Sequence, residues 1–479
     1  MTPKYLGPAV AALTLSLILP GPRLSAADDP YVASIKSFLS HYFDGENACI
    51  VIGLVDGQGG TVIPWGKLGN GANLPVTGDS VFSIGSVSKT FTTLLLLDRV
   101  SRGEMKLDDP VSQYLPASVR MPTHGAKQIT LLDLATHTAG LPLNPGNMSG
   151  KDVREQYETY SIEKLYAFLS SYSLTRDPGA EFEYSNVGMA LLGHVIALRS
   201  ASSYQSLVVD RIARPLGMDH TRVTPAPVQT ALLAMGHDDS GEPSPPWNLT
   251  AYAPAGGALS TANDLLKYAA AHAGLTSSRL TPLMEQTHVI RHTDSRGLPD
   301  MPDFGVFGQT AMDWVDRSAL QPPGMQLLGH AGGSGSYHAW VGFDLRQRRG
   351  VVVLTTANND WSAEAIGWTV LQRLPLTRES ARMFARDSVG IGVALSLDQP
   401  TGALRIDRVF PNSPAAQAGL APGTIIRRVG DTSLEGKSLA ECMKFLRGDV
   451  GAKVRLEVID SARTITTLEL VRQRFVVTP

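Results

Sequence analysis

An α+β fold is predicted, in which an antiparallel sheet flanked by helices carries a large helical insertion and a small β-rich domain follows. Three observations predict it. Strand patterns stand at both ends of residues 28–377, helical patterns divided by Pro and Gly fill the middle, and period-two alternation returns after a charged, small-residue stretch at 378–388. Strands supplied by both ends of a domain build one sheet, and short links between successive strands favour antiparallel pairing.

Residues 1–27 stand apart. Lys4 is the first charge, Leu6 to Leu19 is mainly apolar, and Ser25-Ala26-Ala27 offers small residues for cleavage. That is the layout of a secretory signal peptide, too short for a membrane span of ~20 residues. An uncleaved anchor is the rival reading. The mature chain is expected to be soluble and periplasmic or secreted.

Pro30–Tyr42 has helical spacing in Val32, Ile35, Phe38 and Leu39. Cys49–Val55 and Thr61–Leu68 read as a hairpin around Asp56-Gly57-Gln58-Gly59-Gly60. A helix from Ser86 to near Gly103 carries Leu94-Leu95-Leu96-Leu97 and no polar stripe before Asp98, so it is buried on most faces. Leu131–Thr136, Ile162–Leu169, Met189–Leu198 and Ala262–Ala273 are the clearest helices of the insertion, the last opened by the capping run Ser260–Asp264. Gln326–Leu328, Ala339–Phe343 and Val351–Leu354 read as strands, and Ala363–Arg373 as a closing helix.

The composition excludes several classes. With 479 residues, 18% charged and a net charge of −2, the chain has no basic surface for nucleic acid. Its two cysteines, Cys49 and Cys442, fall in different domains and read as buried thiols. His288 and His292 have an i, i+4 metal spacing but lack the adjacent glutamate, and no metal or cofactor is expected. No Gly-x-Ser-x-Gly elbow occurs.

The chemistry points to Ser86-Val87-Ser88-Lys89. Residues at i and i+3 share a helical face, so the Lys89 amine lies beside the Ser86 hydroxyl. A serine needs a base to become a nucleophile, and lysine becomes one when burial lowers its pKa. The N–H groups of a first helical turn favour negative charge. A second Ser-x-x-Lys, Ser161–Lys164, is explained by Ser161 as an N-cap. Tyr184-Ser185-Asn186 is the only Tyr-x-Asn, and a phenolate there would carry the serine proton while Asn186 holds the lysine and a substrate amide. His330-Ala331-Gly332-Gly333 precedes a strand, and its glycines let the backbone approach a ligand.

With these elements in order, and with Phe82–Gly85, Leu134–Pro142 (including His137) and Gly257–Thr261 in support, residues 28–377 resemble the penicillin-recognising serine hydrolases: class C β-lactamases, D-Ala-D-Ala carboxypeptidases and related esterases. The resemblance implies a β-lactamase/transpeptidase-like fold, with Ser86 as nucleophile and Lys89 with Tyr184 as the base system. It implies that Asn186, Asn144, His330, Gly332 and Gly333 line the substrate site, with the backbone N–H groups of Ser86 and Gly333 as the oxyanion hole. Dedicated class C β-lactamases usually place lysine where this chain has His330, and no acidic deacylation motif of the class A type is present. A peptidase or esterase is therefore expected before a β-lactamase.

Beyond 388, Ile391–Leu397, Pro411–Leu420, Gly423–Ile426, Val429–Asp431, the capping box Ser438–Glu441 and Val454–Val458 follow in an order that resembles a bacterial-type PDZ domain over residues 389–476. That resemblance implies that Gly390, Ile391, Gly392 and Val393 accept a peptide C-terminus as an added strand. The function expected is an exported serine hydrolase acting on D-amino-acid peptides such as peptidoglycan stems. An esterase or class C-like β-lactamase is the first alternative, and a catalytically weak scaffold working through its PDZ domain is the second.

Overall fold

The computed structural model describes residues 29–43, 48–71, 73–225, 230–238, 242–295, 308–318, 324–357, 362–382, 387–397, 403–409, 413–437, 442, 445–446, 451–460 and 463–476. The expected leader at 1–27 and the capping box Ser438–Glu441 lie outside these residues.

An eight-stranded antiparallel sheet organises the first domain. Its order is Gly59–Trp65, Ile50–Asp56, Arg349–Thr355, Tyr337–Asp344, Leu327–Ser334, Val315–Asp316, Gly308–Thr310 and His292–Ser295. The two ends of the domain meet as expected, with Ile50 opposite Thr355. The hairpin turns at Gly57-Gln58, with Asp56 opposite Gly59. Its second strand stops at Trp65 rather than Leu68. Gly66 has φ +92°, and a Cβ there would sit 2.5 Å from the Ala48 carbonyl oxygen, so the chain turns away.

Leu327–Ser334 is longer than the alternation suggested, because Gly329, Gly332 and Gly333 interrupt the apolar pattern without interrupting the ladder. The three short strands from 292 to 316 had no period-two signal. His292 opens one of them, whereas His288 caps the helix Thr281–Thr287. The two do not share a helical face.

Helices cover both sides of the sheet. Pro30–Tyr42 and Ala363–Leu371 pack on one side, where Trp340 and Trp368 meet edge to face at 4.8 Å. On the other, Gly53 and Gly350 admit the helix Ala262–His272: a Cβ at either would sit 2.9 Å from Leu266 or 2.8 Å from Ala269. Behind it lies Ser88–Ser101, buried from Ser88 to Arg99. The expected linker 378–388 begins as the helix Arg378–Arg382, with Ala381 buried, and ends in the strand Asp387–Gly390, paired with Gln473–Val476.

The C-terminal sheet runs Val393–Leu397, Leu404–Val409, Ile425–Val429, Lys453–Ile459 and Ile465–Val471 over a core containing Ile391, Ile406, Ile426 and Leu456. Cys49 and Cys442 are both free and buried, and burial pushes the Cys49 thiol up to about 12. Among the described residues no helix is long and apolar enough to cross a membrane.

One buried pair ties stability to pH. His272 Nδ1 and His288 Nε2 are 2.7 Å apart, and the His272 ring stacks on Phe343 at 4.9 Å. Burial pushes His288 down to about 4 and His272 well below the ordinary value of 6.5. Both are neutral in the folded state, so their contribution is fully present above pH 6.5 and is lost as pH falls towards about 4. The urea midpoint of the first domain should drop across that window, and the drop should shrink in His272→Phe, which keeps the stacking ring without the titration.

Candidate active site

The strand Val81–Ser83 pairs with Leu259–Thr261 and delivers the chain to a tight corner. Ile84 N–H bonds the Ala258 carbonyl at 3.0 Å, Gly85 adopts φ +48°, and Gly85–Val87 forms one 3-10 turn before the α-helix begins at Ser88. Ser88 Oγ locks the corner, donating to Gly85 O at 2.7 Å and accepting from Ala258 N at 3.0 Å. Ser86 therefore projects from a pinned turn just ahead of the helix, rather than from the helix itself.

The strand Leu327–Ser334 presses against that turn. A Cβ on Gly332 would lie 2.1 Å from Ile84 O and 3.0 Å from Ser86 N, and one on Gly85 would lie 2.6 Å from Gly333 N. Only bare backbone fits here, which brings the amides of Ser86 and Gly333 to one corner.

Lys89 is fully buried, and its Nζ lies 2.8 Å from Ser86 Oγ and 2.6 Å from the Ala255 carbonyl oxygen. Its Nζ also sits 4.7 Å from the centre of the Tyr184 ring. Burial lowers its pKa to about 7, against an opposing pull from the Asp313 carboxylate. Tyr184 moves the other way: burial, then the Asp313 charge, hold its phenol well above the ordinary value, while a hydrogen bond with Ser86 opposes them. Burial therefore works against both the phenolate expected from the sequence and the charged form of the amine.

Two residues given no role by the sequence complete the floor. His137, in the left-handed region at φ +57°, accepts the Ser185 N–H on Nδ1 at 3.1 Å. Its Nε2 therefore carries the proton and donates to Asp313 Oδ1 at 2.9 Å. Asp313 is also left-handed, at φ +62°, and the same oxygen lies 3.6 Å from His330 Nε2. Burial raises the Asp313 pKa, but His137 and His330 outweigh it and hold the carboxyl well below the usual range. A cavity of about 50 Å³ lies between these groups, lined by His137, Phe182, Tyr184, Asp313, Trp314 and His330. His137 stood in the quoted Leu134–Pro142 stretch, and Asp313 had no motif around it.

Asn186 opens the helix Asn186–Ser200, and its backbone N–H bonds the carbonyl of Leu143, next to Asn144. Its side chain does not hold the lysine, as expected from sequence, but donates to the Tyr157 hydroxyl at 3.2 Å. Tyr157 in turn donates to Asn144 Oδ1 at 2.9 Å.

In the C-terminal domain, Gly390 pairs with Gln473, the Ile391 carbonyl accepts from Ala415 N at 2.8 Å, and the Gly392 carbonyl accepts from Ser413 Oγ at 3.1 Å. Only Val393 of the four expected peptide-binding residues belongs to the edge strand.

The Beta-lactamase family model matches residues 40–373. The chain belongs to the β-lactamase family. A PDZ domain model matches residues 405–460. The D-alanyl-D-alanine-carboxypeptidase/endopeptidase AmpH of Escherichia coli (strain K12) is 33% identical over 244 residues, which are 50% of this chain and 62% of that protein. A Beta-lactamase of Pseudomonas fluorescens is 29% identical over 61% of this chain and 84% of that protein. The Beta-lactamase/D-alanine Carboxypeptidase from Yersinia pestis complexed with citrate shares the fold, with a TM-score of 0.62 at 23% identity over 72% of this chain and 98% of that one.

The coupling between Asp313 and Lys89 is open to test. Removing the carboxylate's charge in Asp313→Asn withdraws the influence that favours the protonated amine. The acidic limb of Ser86 labelling by a fluorophosphonate probe should move to lower pH. An unmoved or upward-shifted limb would mean that the two groups are not coupled in this sense.

Proposed function

We propose that this chain is an exported serine hydrolase that works through a Ser86 acyl-enzyme on D-amino-acid peptides of the peptidoglycan-stem kind, or on related amides and esters. One observation carries the reading: a buried amine, with its pKa lowered to about 7, lies 2.8 Å from the Ser86 hydroxyl. That is a base available at neutral pH, within reach of the proton it must take.

Lys89 accepts the Ser86 proton as Oγ bonds to the substrate carbonyl carbon. Charge develops on the carbonyl oxygen, and the Ser86 and Gly333 amides at the pinned corner are the donors that receive it. The carbonyl carbon then parts from its leaving group, which takes the proton back from Lys89 through the protonated Tyr184 phenol. Water releases the acyl group by the same steps in reverse. The name of the Escherichia coli relative supports a D-alanyl-D-alanine substrate.

The esterase reading draws support from Asp313. A carboxylate 3.6 Å from His330 offsets positive charge offered to a substrate's terminal carboxylate. In the PDZ domain, Val393–Leu397 stands at the edge of its sheet, which supports addition of a peptide strand there.

A fluorescent penicillin should label the wild type and leave Ser86→Ala unlabelled; labelling of both proteins would remove Ser86 from the chemistry. Turnover of a D-Ala-D-Ala peptide against a p-nitrophenyl ester separates the peptidase from the esterase reading. For either substrate, kcat/KM should rise with pH through about 7, because the base is the unprotonated form of Lys89.

A further inference from the structure

A cleft of about 600 Å³ opens where the end of the helix Ala262–His272, the helix Thr281–Thr287 and the turn after Asp344 come together. It shares no lining residue with the cavity at Asp313. Ala271, Met284, Ile290 and Leu345 give it apolar walls. Sites that hold small organic molecules have this size and make-up, with a few polar groups that set the orientation.

His288 supplies one such group. It lines the cleft at 9% exposure, with Nε2 engaged to His272 Nδ1 at 2.7 Å. Its Nδ1 meets no partner among the described residues and is not sealed, so it opens on the cleft. Two neutral imidazoles carry two hydrogens on four nitrogens, and one of these lies in the shared bond. The other falls either on His288 Nδ1 or on His272 Nε2, which is buried with no hydrogen-bond partner. A buried N–H without an acceptor costs about 1–3 kcal/mol. An anion in the cleft adds to that preference, since it accepts a hydrogen and repels a lone pair. At the mouth, exposed Arg348 donates from Nη2 to the Gly274 carbonyl, and among the described residues no carboxylate pairs with its guanidinium. Glu285, exposed on the helix Thr281–Thr287, is the acidic side chain of the lining.

We propose that this cleft is a binding site for a monocarboxylic acid with an apolar body, whose carboxylate accepts the His288 Nδ1–H and has its charge met by Arg348. The apolar walls take the body, and Glu285 disfavours a second acidic group. His272 meets Trp314 edge on at 4.9 Å, and Trp314 lines the cavity beside Asp313, so the ligand sits behind the candidate active site. The site uses none of the groups around Ser86 and does not depend on the acyl-enzyme reading.

Isothermal titration of the full chain with octanoate tests it. Octanoate should bind saturably at one site per chain. Octanamide, which keeps the chain and an acceptor without the charge, and suberate, which adds a second carboxylate, should each bind about tenfold more weakly. His288→Phe, which keeps a ring beside His272 and Phe343, and Arg348→Gln, on an exposed turn, should each weaken octanoate by about tenfold, the scale of one hydrogen bond to a charged group. Ser86→Ala should bind octanoate as wild type does. Absence of saturable binding overturns the proposal, as does wild-type affinity in either folded variant or equal affinity for octanamide or suberate. Should His288→Phe fail to fold, Arg348→Gln decides alone. Loss of octanoate binding in Ser86→Ala would move the ligand to the active site and overturn the proposal, whereas failure of penicillin to label Ser86 would touch only the acyl-enzyme reading.

Discussion

The site depends on keeping water away from one amine. An ammonium group with no solvent around it loses most of what stabilises its charge, and Lys89 is sealed by the apolar helix Ser88–Ser101, the Tyr184 ring and the Ala255 carbonyl. The same burial acts on Tyr184 with opposite sign, because a phenol is charged when it loses its proton and an amine when it gains one. One environment thus favours the uncharged form of both groups beside Ser86. Asp313 tempers the first effect and strengthens the second.

Around that amine the chain accepts local strain to gain close approach. The corner at Ser86 needs a left-handed glycine at Gly85 and a side-chain-free strand at Gly332, while His137 and Asp313 occupy left-handed backbone with full side chains. Such conformations cost about 1–3 kcal/mol each and persist where the surroundings overdetermine them. Here the mutual hydrogen bond of His137 and Asp313 is part of what holds them. The site is therefore built by backbone contacts between the helical region and the sheet as much as by its side chains.

Much of this was legible in the sequence. Ser86, Lys89, Tyr184, Asn186 and the His330 strand sit in short local patterns whose spacing reports their chemistry. The helix Pro30–Tyr42 announced itself by its apolar period, and Ile162–Ser171 by its period and the Ser161 cap. What escaped has a common cause. Asp313 and Tyr157 act through partners remote in sequence: Asp313 lies 176 residues from His137, and Tyr157 lies 29 from Asn186. No local period encodes such a pairing. The strands from 292 to 316 were missed because segments of two to four residues are too short to show alternation.

The sheet's ends also fix the order in which the site is made. Cys49 meets Thr356 across a separation of 307 residues, and Ile50–Asp56 has no partner on its inner side before Arg349–Thr355 exists. Contacts so distant along the chain form late, since the intervening loop must close first. A nascent chain that has reached the helix Asn186–Ser200 already owns its serine, amine, phenol and asparagines. It still lacks the strand that narrows the corner around Ser86. The candidate centre is consequently completed only when the last strands of the domain have folded against the first.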